Sequence, residues 1–121
     1  MRSVAVIGAG IMGHGLALVF ALGGHPVRLT DSLPEARERA PGLMASALDT
    51  LRDAGEVGAD WTPSRLAEAV RVRDTLAETV EGADLVIEAI TEQPEAKRAL
   101  FAELDPLLGP ETVVASNTSY L

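Results

Sequence analysis

Three glycines near the N-terminus have the spacing of a turn between a strand and a helix. Gly8, Gly10 and Gly13 form the pattern G-x-G-x-x-G, which in that context binds a pyrophosphate. Gly8 would allow the tight turn, Gly10 would let the backbone approach the phosphates, and Gly13 would let the helix pack closely on the strand. The N–H groups that begin the helix have no partners within it, and the helix dipole favours negative charge there. The pattern therefore predicts a dinucleotide site.

An acidic residue follows the glycine pattern at the distance expected for a ribose contact. Asp31 comes 18 residues after Gly13, at the end of the next apolar run, where a carboxylate accepts hydrogen bonds from the hydroxyls of an adenosine ribose. It would repel a 2′-phosphate, and the four residues after it include no Lys or Arg. Asp31 therefore predicts NAD rather than NADP. A second role is compatible with this one: Ser32 and Glu35 have the spacing of a helix capping box, which Asp31 would flank.

The composition limits the classes of function. The chain has 121 residues, 47% of them hydrophobic, so we expect one globular domain, residues 1–121. The net charge of −8 argues against nucleic acid or an anionic membrane as a partner. Because the chain has no cysteine, we expect no disulfide, no thiol nucleophile and no zinc–thiolate site. We predict no metal site of another kind either. We recognise no signal peptide and no apolar stretch of about 20 residues, so we expect a cytoplasmic location.

Patterns typical of strands and helices alternate along the chain. Short apolar runs predict strands buried on both faces, and longer segments with apolar residues at helical spacing predict helices. A kink or break is expected at Pro41 and Gly42. The alternation predicts an α/β fold, a Rossmann-type doubly wound parallel sheet with right-handed crossovers. The predicted order is strand 4–7, helix 11–22, strand 26–30, helix 33–54, a helix from about 63, strand 70–73, helix 76–80, strand 84–90, helix 94–108 and strand 112–115.

Polar residues follow the strands where a ligand would bind. In doubly wound sheets ligands bind beyond the carboxyl ends of the strands. Besides the glycine turn and Asp31, this edge would carry the turn at residues 89–92 and the polar run at residues 116–119. The polar run is explained equally well as an ordinary loop or as the N-cap of a following helix. From the residues alone these readings stay open.

Several motifs, taken in this order, resemble a known family. They are the glycine pattern with His14 and Gly15, Asp31, the segment 86–92, Lys97 with Leu100 and Phe101, and the run Ser116, Asn117, Thr118 and Ser119. Together they resemble the NAD-binding domain of the 3-hydroxyacyl-CoA dehydrogenase family, from the first strand to the last residue. The resemblance implies an NAD-dependent oxidoreductase of fatty acid metabolism. It would transfer a hydride between the 3-hydroxyl carbon of an acyl-CoA and NAD.

The resemblance also implies roles for single residues. Ser119 would be the active-site serine, which hydrogen-bonds the 3-oxygen of the substrate and helps to place its carbon against the nicotinamide. Simpler readings exist for Lys97, as a solvated lysine, and for Glu92, as an acid in the first turn of a helix. The expected NAD contacts are Gly8, Gly10, Ile11, Met12, Gly13, Asp31, Ala89, Ile90, Glu92, Lys97 and Asn117.

Part of the family's machinery has no match in this chain. The resemblance places the general base, a histidine, and the glutamate that orients it beyond Ser119. The helical domain that binds substrate and forms the homodimer lies there too. His14 and His25 do not match the base and are expected to be structural or solvent-facing. We therefore expect a fragment of a longer enzyme, truncated before the last strand of the sheet.

The substrate is marked less clearly than the cofactor. Family members often carry a serine and a lysine after the acid of the second strand, and both contact CoA. Ser46 would be that serine, whereas the lysine position holds Arg52 and Asp53. Two alternatives follow. The parent protein would act on a free hydroxy acid, as the gulonate and carnitine dehydrogenases of the superfamily do, or the chain would be a non-catalytic NAD-binding fragment.

Overall fold

The described part of the chain alternates strands and helices as predicted. The computed structural model describes residues 2–90 and 94–116, without the side chain of Ile11. No helix in these ranges is both long and apolar enough to cross a membrane. The elements are β1 (Val4–Ile7), α1 (Ile11–Leu22), β2 (Val27–Thr30), α2 (Pro34–Asp53), α3 (Pro63–Ala69), β3 (Val70–Val72), α4 (Leu76–Val80), β4 (Leu85–Glu88), α5 (Pro94–Leu104), a 3-10 turn (Asp105–Leu107) and β5 (Val113–Ser116).

The five strands of the described residues form one parallel sheet with β1 at its centre. Their order is β3-β2-β1-β4-β5, and every neighbouring pair is parallel. The chain runs outward from β1 through β2 to β3, and then returns to the other side of β1 for β4 and β5. The order reverses between β1 and β4, and such a reversal opens the crevice in which these sheets bind ligands. The predicted Rossmann-type doubly wound sheet is confirmed.

Helices pack on both faces of the sheet because the side chains of β1 alternate between them. Val4 and Val6 belong to a core that includes residues of α1 and α2. Ala5 and Ile7 belong to a second core that includes residues of α4 and α5. All four side chains are almost fully buried, as expected for a central parallel strand. The two cores hold the carboxyl end of β1 rigidly at the crevice.

The longest helix passes through a proline without a break. A kink or a break is predicted at Pro41 and Gly42, but α2 is continuous with Pro41 in its interior, so the break is wrong. Both of these residues are exposed, whereas Ala40, Met44 and Leu48 recur every four residues on the face that packs on the core. A proline in a helix interior costs about 3 kcal/mol. Burial of Met44 and Leu48 contributes about 1.5–3 kcal/mol each, so packing outweighs the lost hydrogen bond.

The start of α2 differs from the prediction. The capping box expected from Ser32 and Glu35 is wrong, because the N-cap residue is Leu33 and no side chain caps the helix there. Instead, Oδ1 of Asp31 accepts the N–H of Leu33 at 2.9 Å. The carboxylate that was expected only to flank the cap therefore contacts the entry to the helix directly.

The C-terminal elements are shorter and more exposed than the central ones. α5 gives way to the 3-10 turn before the end of the helix predicted over residues 94–108, because Pro106 has no N–H to continue it. β5 pairs with β4, and all four of its residues are exposed. Within the ranges that the structure describes, no strand lies on the outer edge of β5.

Candidate functional site

The turn between β1 and α1 has no room for side chains at two of its glycines. Gly8 has a φ of +111°, which L side chains rarely adopt, and a Cβ there would lie 2.6 Å from the carbonyl oxygen of Ala89. A Cβ on Gly13 would lie 1.5 Å from the carbonyl oxygen of Gly8. The start of α1 and the end of β4 therefore both pack directly on the backbone of this turn.

Gly10, in contrast, borders open space. It is exposed, and a Cβ there would meet no atom within 4 Å. Gly10 is the N-cap of α1, and neither a side-chain cap nor an acidic residue occupies the first turn of this helix. The N–H groups of Ile11, Met12 and Gly13 lie in that turn and have no carbonyl partner within the helix. These N–H donors and the positive end of the helix dipole therefore face the open space beside Gly10, which a side chain at that position would narrow. This arrangement fits a pyrophosphate.

Asp31 lies next to the glycine turn, at the carboxyl end of β2. Its Oδ2 accepts the N–H of Ala9 at 2.8 Å, and its Oδ1 accepts the N–H of Leu33 at 2.9 Å. Nη1 of Arg37 donates to the carbonyl oxygen of Asp31 at 2.7 Å. A carboxylate has about four lone-pair sites, so the backbone holds this group in place while acceptors remain for the hydroxyls of a ribose.

A cleft of about 650 Å³ opens beside Asp31. Its size and largely apolar walls, with few polar groups, are typical of a site for a nucleotide-sized ligand. Gly8, the first glycine of the turn, and Asp31 therefore border a single cleft. Its walls include Ile7, Gly8 and Thr30 on the sheet side, and Ala96, Ala99 and Leu100 from α5.

Sequence analysis missed a basic residue in this cleft. Arg37 lines it six positions after Asp31, and its Nε lies 3.6 Å from Oδ1 of Asp74. The cofactor prediction considered only the four residues after Asp31. A signal was present, because Arg37 falls in the first turn of the helix that follows β2 and so returns to the end of that strand. Asp31, Asp74 and Glu103 also line the cleft, so its carboxylates outnumber this cation and the local charge still disfavours a 2′-phosphate.

A buried carboxylate at the end of β4 was also missed. Glu88 is 0% exposed. Its Oε1 accepts the hydroxyl of Ser116 at 2.7 Å and lies 3.2 Å from Nζ of Lys97, and its Oε2 accepts the N–H of Ile90 at 2.8 Å. The sequence did contain a signal: an acid closes an otherwise apolar strand, at the edge of the sheet where ligands bind, and buried acids require partners.

Lys97 belongs to this buried cluster. Its side chain is only 15% exposed and reaches from α5 to Glu88 at the end of β4, so the reading of Lys97 as a solvated surface lysine is wrong. Lysines are seldom buried unless they are paired. The structure thus gathers Ile90, Lys97 and Ser116 around Glu88, on the side of β1 opposite to Asp31.

Other candidate residues lie away from the cleft. Ser46 is exposed on α2 and does not line it. Nδ1 of His14 hydrogen-bonds the carbonyl oxygen of Gly10 at 2.7 Å, and Nδ1 of His25 hydrogen-bonds that of Arg2 at 3.1 Å. Both histidines therefore have the structural contacts that were expected of them.

The remaining predicted contacts divide into two groups. Ala89 and Ile90 border the glycine turn, since a Cβ on Gly8 would touch the backbone of both. Glu92, Asn117 and Ser119 lie outside the described residues, so their predicted roles stay predictions.

The chain as a whole matches one family model. The model of the 3-hydroxyacyl-CoA dehydrogenase NAD binding domain matches residues 3–121. The chain belongs to this family. It is an NAD-binding Rossmann domain, and the cofactor is the one that the glycine turn and Asp31 predicted. The resemblance stated from the sequence motifs is confirmed.

Proteins that are similar to this NAD-binding domain differ in the substrates that their names give. The 5-formyl-3-hydroxy-2-methylpyridine 4-carboxylate 5-dehydrogenase of Mesorhizobium japonicum is 40% identical over 119 residues, which are 98% of this chain and 37% of that protein. The 3-hydroxyadipyl-CoA dehydrogenase of Escherichia coli is 40% identical over 119 residues, 98% of this chain and 25% of that protein. The crystal structure of (S)-3-hydroxybutyryl-CoA dehydrogenase from Ralstonia eutropha has a TM-score of 0.88 at 28% identity, over 100% of this chain and 42% of that one. The chain thus spans less than half the length of each of these proteins.

Proposed function

We propose that the chain is the cofactor-binding half of an NAD-dependent L-3-hydroxyacyl-CoA dehydrogenase. The observation that carries the proposal is the single cleft that both Gly8 and Asp31 line, together with the 2.8 Å hydrogen bond that joins the glycine turn to Asp31, from the N–H of Ala9 to Oδ2. Family membership supports the reaction class. In the proposed reaction a 3-hydroxyl group is oxidised to a ketone, and the hydride from its carbon is accepted by NAD⁺.

The chain's own residues would bind the cofactor and orient the substrate. The N–H groups of the glycine turn hold the pyrophosphate, and Asp31 accepts the hydroxyls of the adenosine ribose. Glu92, Lys97 and Asn117 contact the nicotinamide half, and Ser119 positions the 3-oxygen of the substrate. The histidine base and its glutamate are supplied by another part of the parent enzyme, so this chain alone binds NAD without efficient turnover.

A free hydroxy acid is the second candidate for the substrate. One relative at 40% identity is named for a pyridine carboxylate rather than for a CoA ester. In addition, Arg52 stands near the position of the family's CoA-binding lysine, but it pairs with Asp49 and donates to the carbonyl oxygen of Trp61 at 3.2 Å. Ser46 then remains the candidate for a CoA contact, and it lies outside the cleft.

Turnover by the longest protein that carries this chain tests the proposal and separates the two substrates. We expect reduction of acetoacetyl-CoA by NADH to be faster than reduction of free acetoacetate. Both rates are measured as the decrease in the absorbance of NADH. Faster turnover of the free acid would favour the second candidate. NADH binding without turnover of any 3-oxoacyl-CoA or free oxo acid would contradict both, and would favour the non-catalytic reading.

Three further features belong to the proposal. Residues 1–121 form one domain of a longer enzyme, that enzyme is a homodimer through a second domain, and it works in the cytoplasm. The homodimer is tested by sedimentation of the longer protein, and the location by cell fractionation with an antibody against the chain.

A further inference from the structure

The carboxylate at the end of β4 points to a role that the fold does not require. We propose that Glu88 is a positioning residue that fixes the ammonium of Lys97 and the hydroxyl of Ser116 in the half of the site that takes the nicotinamide nucleotide. The inference rests on the proposed NAD site and names which buried residue organises its second half.

The sheet order places Glu88 under that half. A dinucleotide binds across the crevice of a doubly wound sheet, with one nucleotide over each group of strands. Asp31 ends β2 and marks the adenosine side, so the other nucleotide lies over β4 and β5, on the far side of β1. In the register of the sheet, Glu88 pairs with Ile7 on one side and with Ser116 on the other. The residue therefore sits between the glycine turn and the end of β5.

The contacts of Glu88 join three separate segments. Oε2 accepts the N–H of Ile90 at 2.8 Å, which fixes the backbone just after β4. Oε1 accepts the hydroxyl of Ser116 from β5 at 2.7 Å and lies 3.2 Å from the ammonium of Lys97 on α5. A Cβ on Gly8 would lie 3.1 Å from the nitrogen of Ile90, so the same carboxylate also supports the wall of the phosphate-binding turn.

Stability alone is a weak reason for a charge at this place. Glu88 is 0% exposed and Lys97 is 15% exposed, and a buried ion pair often contributes no more to stability than apolar residues of similar volume. What the ion pair does supply is geometry. An ammonium on a flexible four-carbon stem has many rotamers, and the carboxylate selects the one that holds Nζ at the end of β4. Glu88 thus acts on the cofactor through Lys97 and Ser116.

Two probes separate this role from a general effect on the fold. ADP occupies only the adenosine and pyrophosphate positions, whereas NADH occupies both halves. In calorimetric titrations of the chain, Glu88→Gln should weaken NADH binding about tenfold and change ADP binding by less than about twofold. Thr112→Val is the matched control: it removes a partly buried hydrogen bond, from the Thr112 hydroxyl to the carbonyl oxygen of Ala83 at 3.3 Å, and neither residue lines the cleft. It should leave the ratio of the two affinities unchanged.

A double-mutant comparison tests whether Glu88 acts through Lys97. In a Lys97→Met background, adding Glu88→Gln should weaken NADH binding by less than about twofold, since residues that share one interaction are not additive. Ser116→Ala offers an independent route that leaves the buried pair in place, and it should weaken NADH severalfold with ADP unchanged. This variant keeps the test decisive even if Glu88→Gln does not fold.

The outcomes distinguish the inference from the proposed function. If the unmodified chain binds neither NADH nor ADP, the proposed NAD site itself is wrong. If it binds both, the inference is overturned by any of three results. These are equal losses of NADH and ADP in Glu88→Gln, an undiminished effect of Glu88→Gln in the Lys97→Met background, and an unchanged affinity ratio in both Ser116→Ala and Lys97→Met.

Discussion

Each half of the crevice has a carboxylate at the end of a strand, and the two carboxylates differ in their exposure and in the groups bonded to them. Asp31, at the end of β2, is partly exposed, and its oxygens accept backbone N–H groups of the glycine turn and of the start of α2. Glu88, at the end of β4, is fully buried, and the groups bonded to its oxygens include the ammonium of Lys97, the hydroxyl of Ser116 and the N–H of Ile90. The difference leads us to propose that Asp31 contacts the ligand itself, whereas Glu88 positions the groups that contact it.

The largest effect is expected at the turn that both halves share. Gly13→Ala would bring a Cβ to 1.5 Å from the carbonyl oxygen of Gly8, so we expect the loss of cooperative thermal unfolding, or a large fall in Tm, together with the loss of NADH binding. Gly15→Ala is the matched control, because a Cβ there meets no atom within 4 Å. It should raise stability by up to about 1 kcal/mol and leave binding unchanged. Equal behaviour of the two variants would refute the packing described for this turn.

The free energy of unfolding should fall further when a charge is removed from the buried half of the crevice than when one is removed from the exposed half. Lys97→Met removes the ammonium that lies 3.2 Å from Oε1 of the buried Glu88, and removal of one partner of a buried pair costs about 3–5 kcal/mol. We expect a corresponding fall in the free energy of unfolding, measured by urea titration. Adding Glu88→Gln should restore much of the lost free energy of unfolding, since the buried negative charge is then gone. A double variant no more stable than Lys97→Met would show that the pair is not coupled.

The exposed half should lose mainly affinity, because Asp31 is partly exposed and water can replace the backbone N–H contact that the amide group gives up. In Asp31→Asn an amide group can no longer accept hydrogen bonds at both of its terminal atoms, so we expect NADH to bind about tenfold more weakly and the preference for NADH over NADPH to shrink. Fluorescence titration with each nucleotide measures both changes. Glu35→Gln removes the same charge from an exposed position nearby and should leave both affinities unchanged. An unaltered NADH affinity in Asp31→Asn would place the ribose elsewhere.

The smallest effect is expected from Arg37, the cation that lines the adenosine half. Its partner Asp74 is 86% exposed, and ion pairs with exposed groups contribute about 0–1 kcal/mol. Arg37→Gln should therefore change the NADH affinity by less than about twofold and lower stability by no more than about 1 kcal/mol. A tenfold loss of NADH affinity would instead show that Arg37 contacts the cofactor. In that case NADH binding would depend on a basic side chain in both halves, on Arg37 in one and on Lys97 in the other.

Local patterns were sufficient to predict the fold and the exposed half of the site. The G-x-G-x-x-G turn, the acid after β2 and the apolar runs each act within a few residues, and the alternation of strands and helices leaves few topologies open. The predictions failed where distant residues decide. The packing of Met44 and Leu48 keeps α2 continuous through Pro41. The cluster around Glu88 joins β4, α5 and β5, which no sequence spacing connects.

A titration of the chain with NADH and, separately, with NADPH tests the central claim most directly. The account predicts saturable binding of NADH, seen as a change in nicotinamide fluorescence, and much weaker binding of NADPH, because Asp31 would accept ribose hydroxyls and would repel a 2′-phosphate. Equal binding of both nucleotides would contradict the role of Asp31. Binding of neither would contradict the NAD site itself.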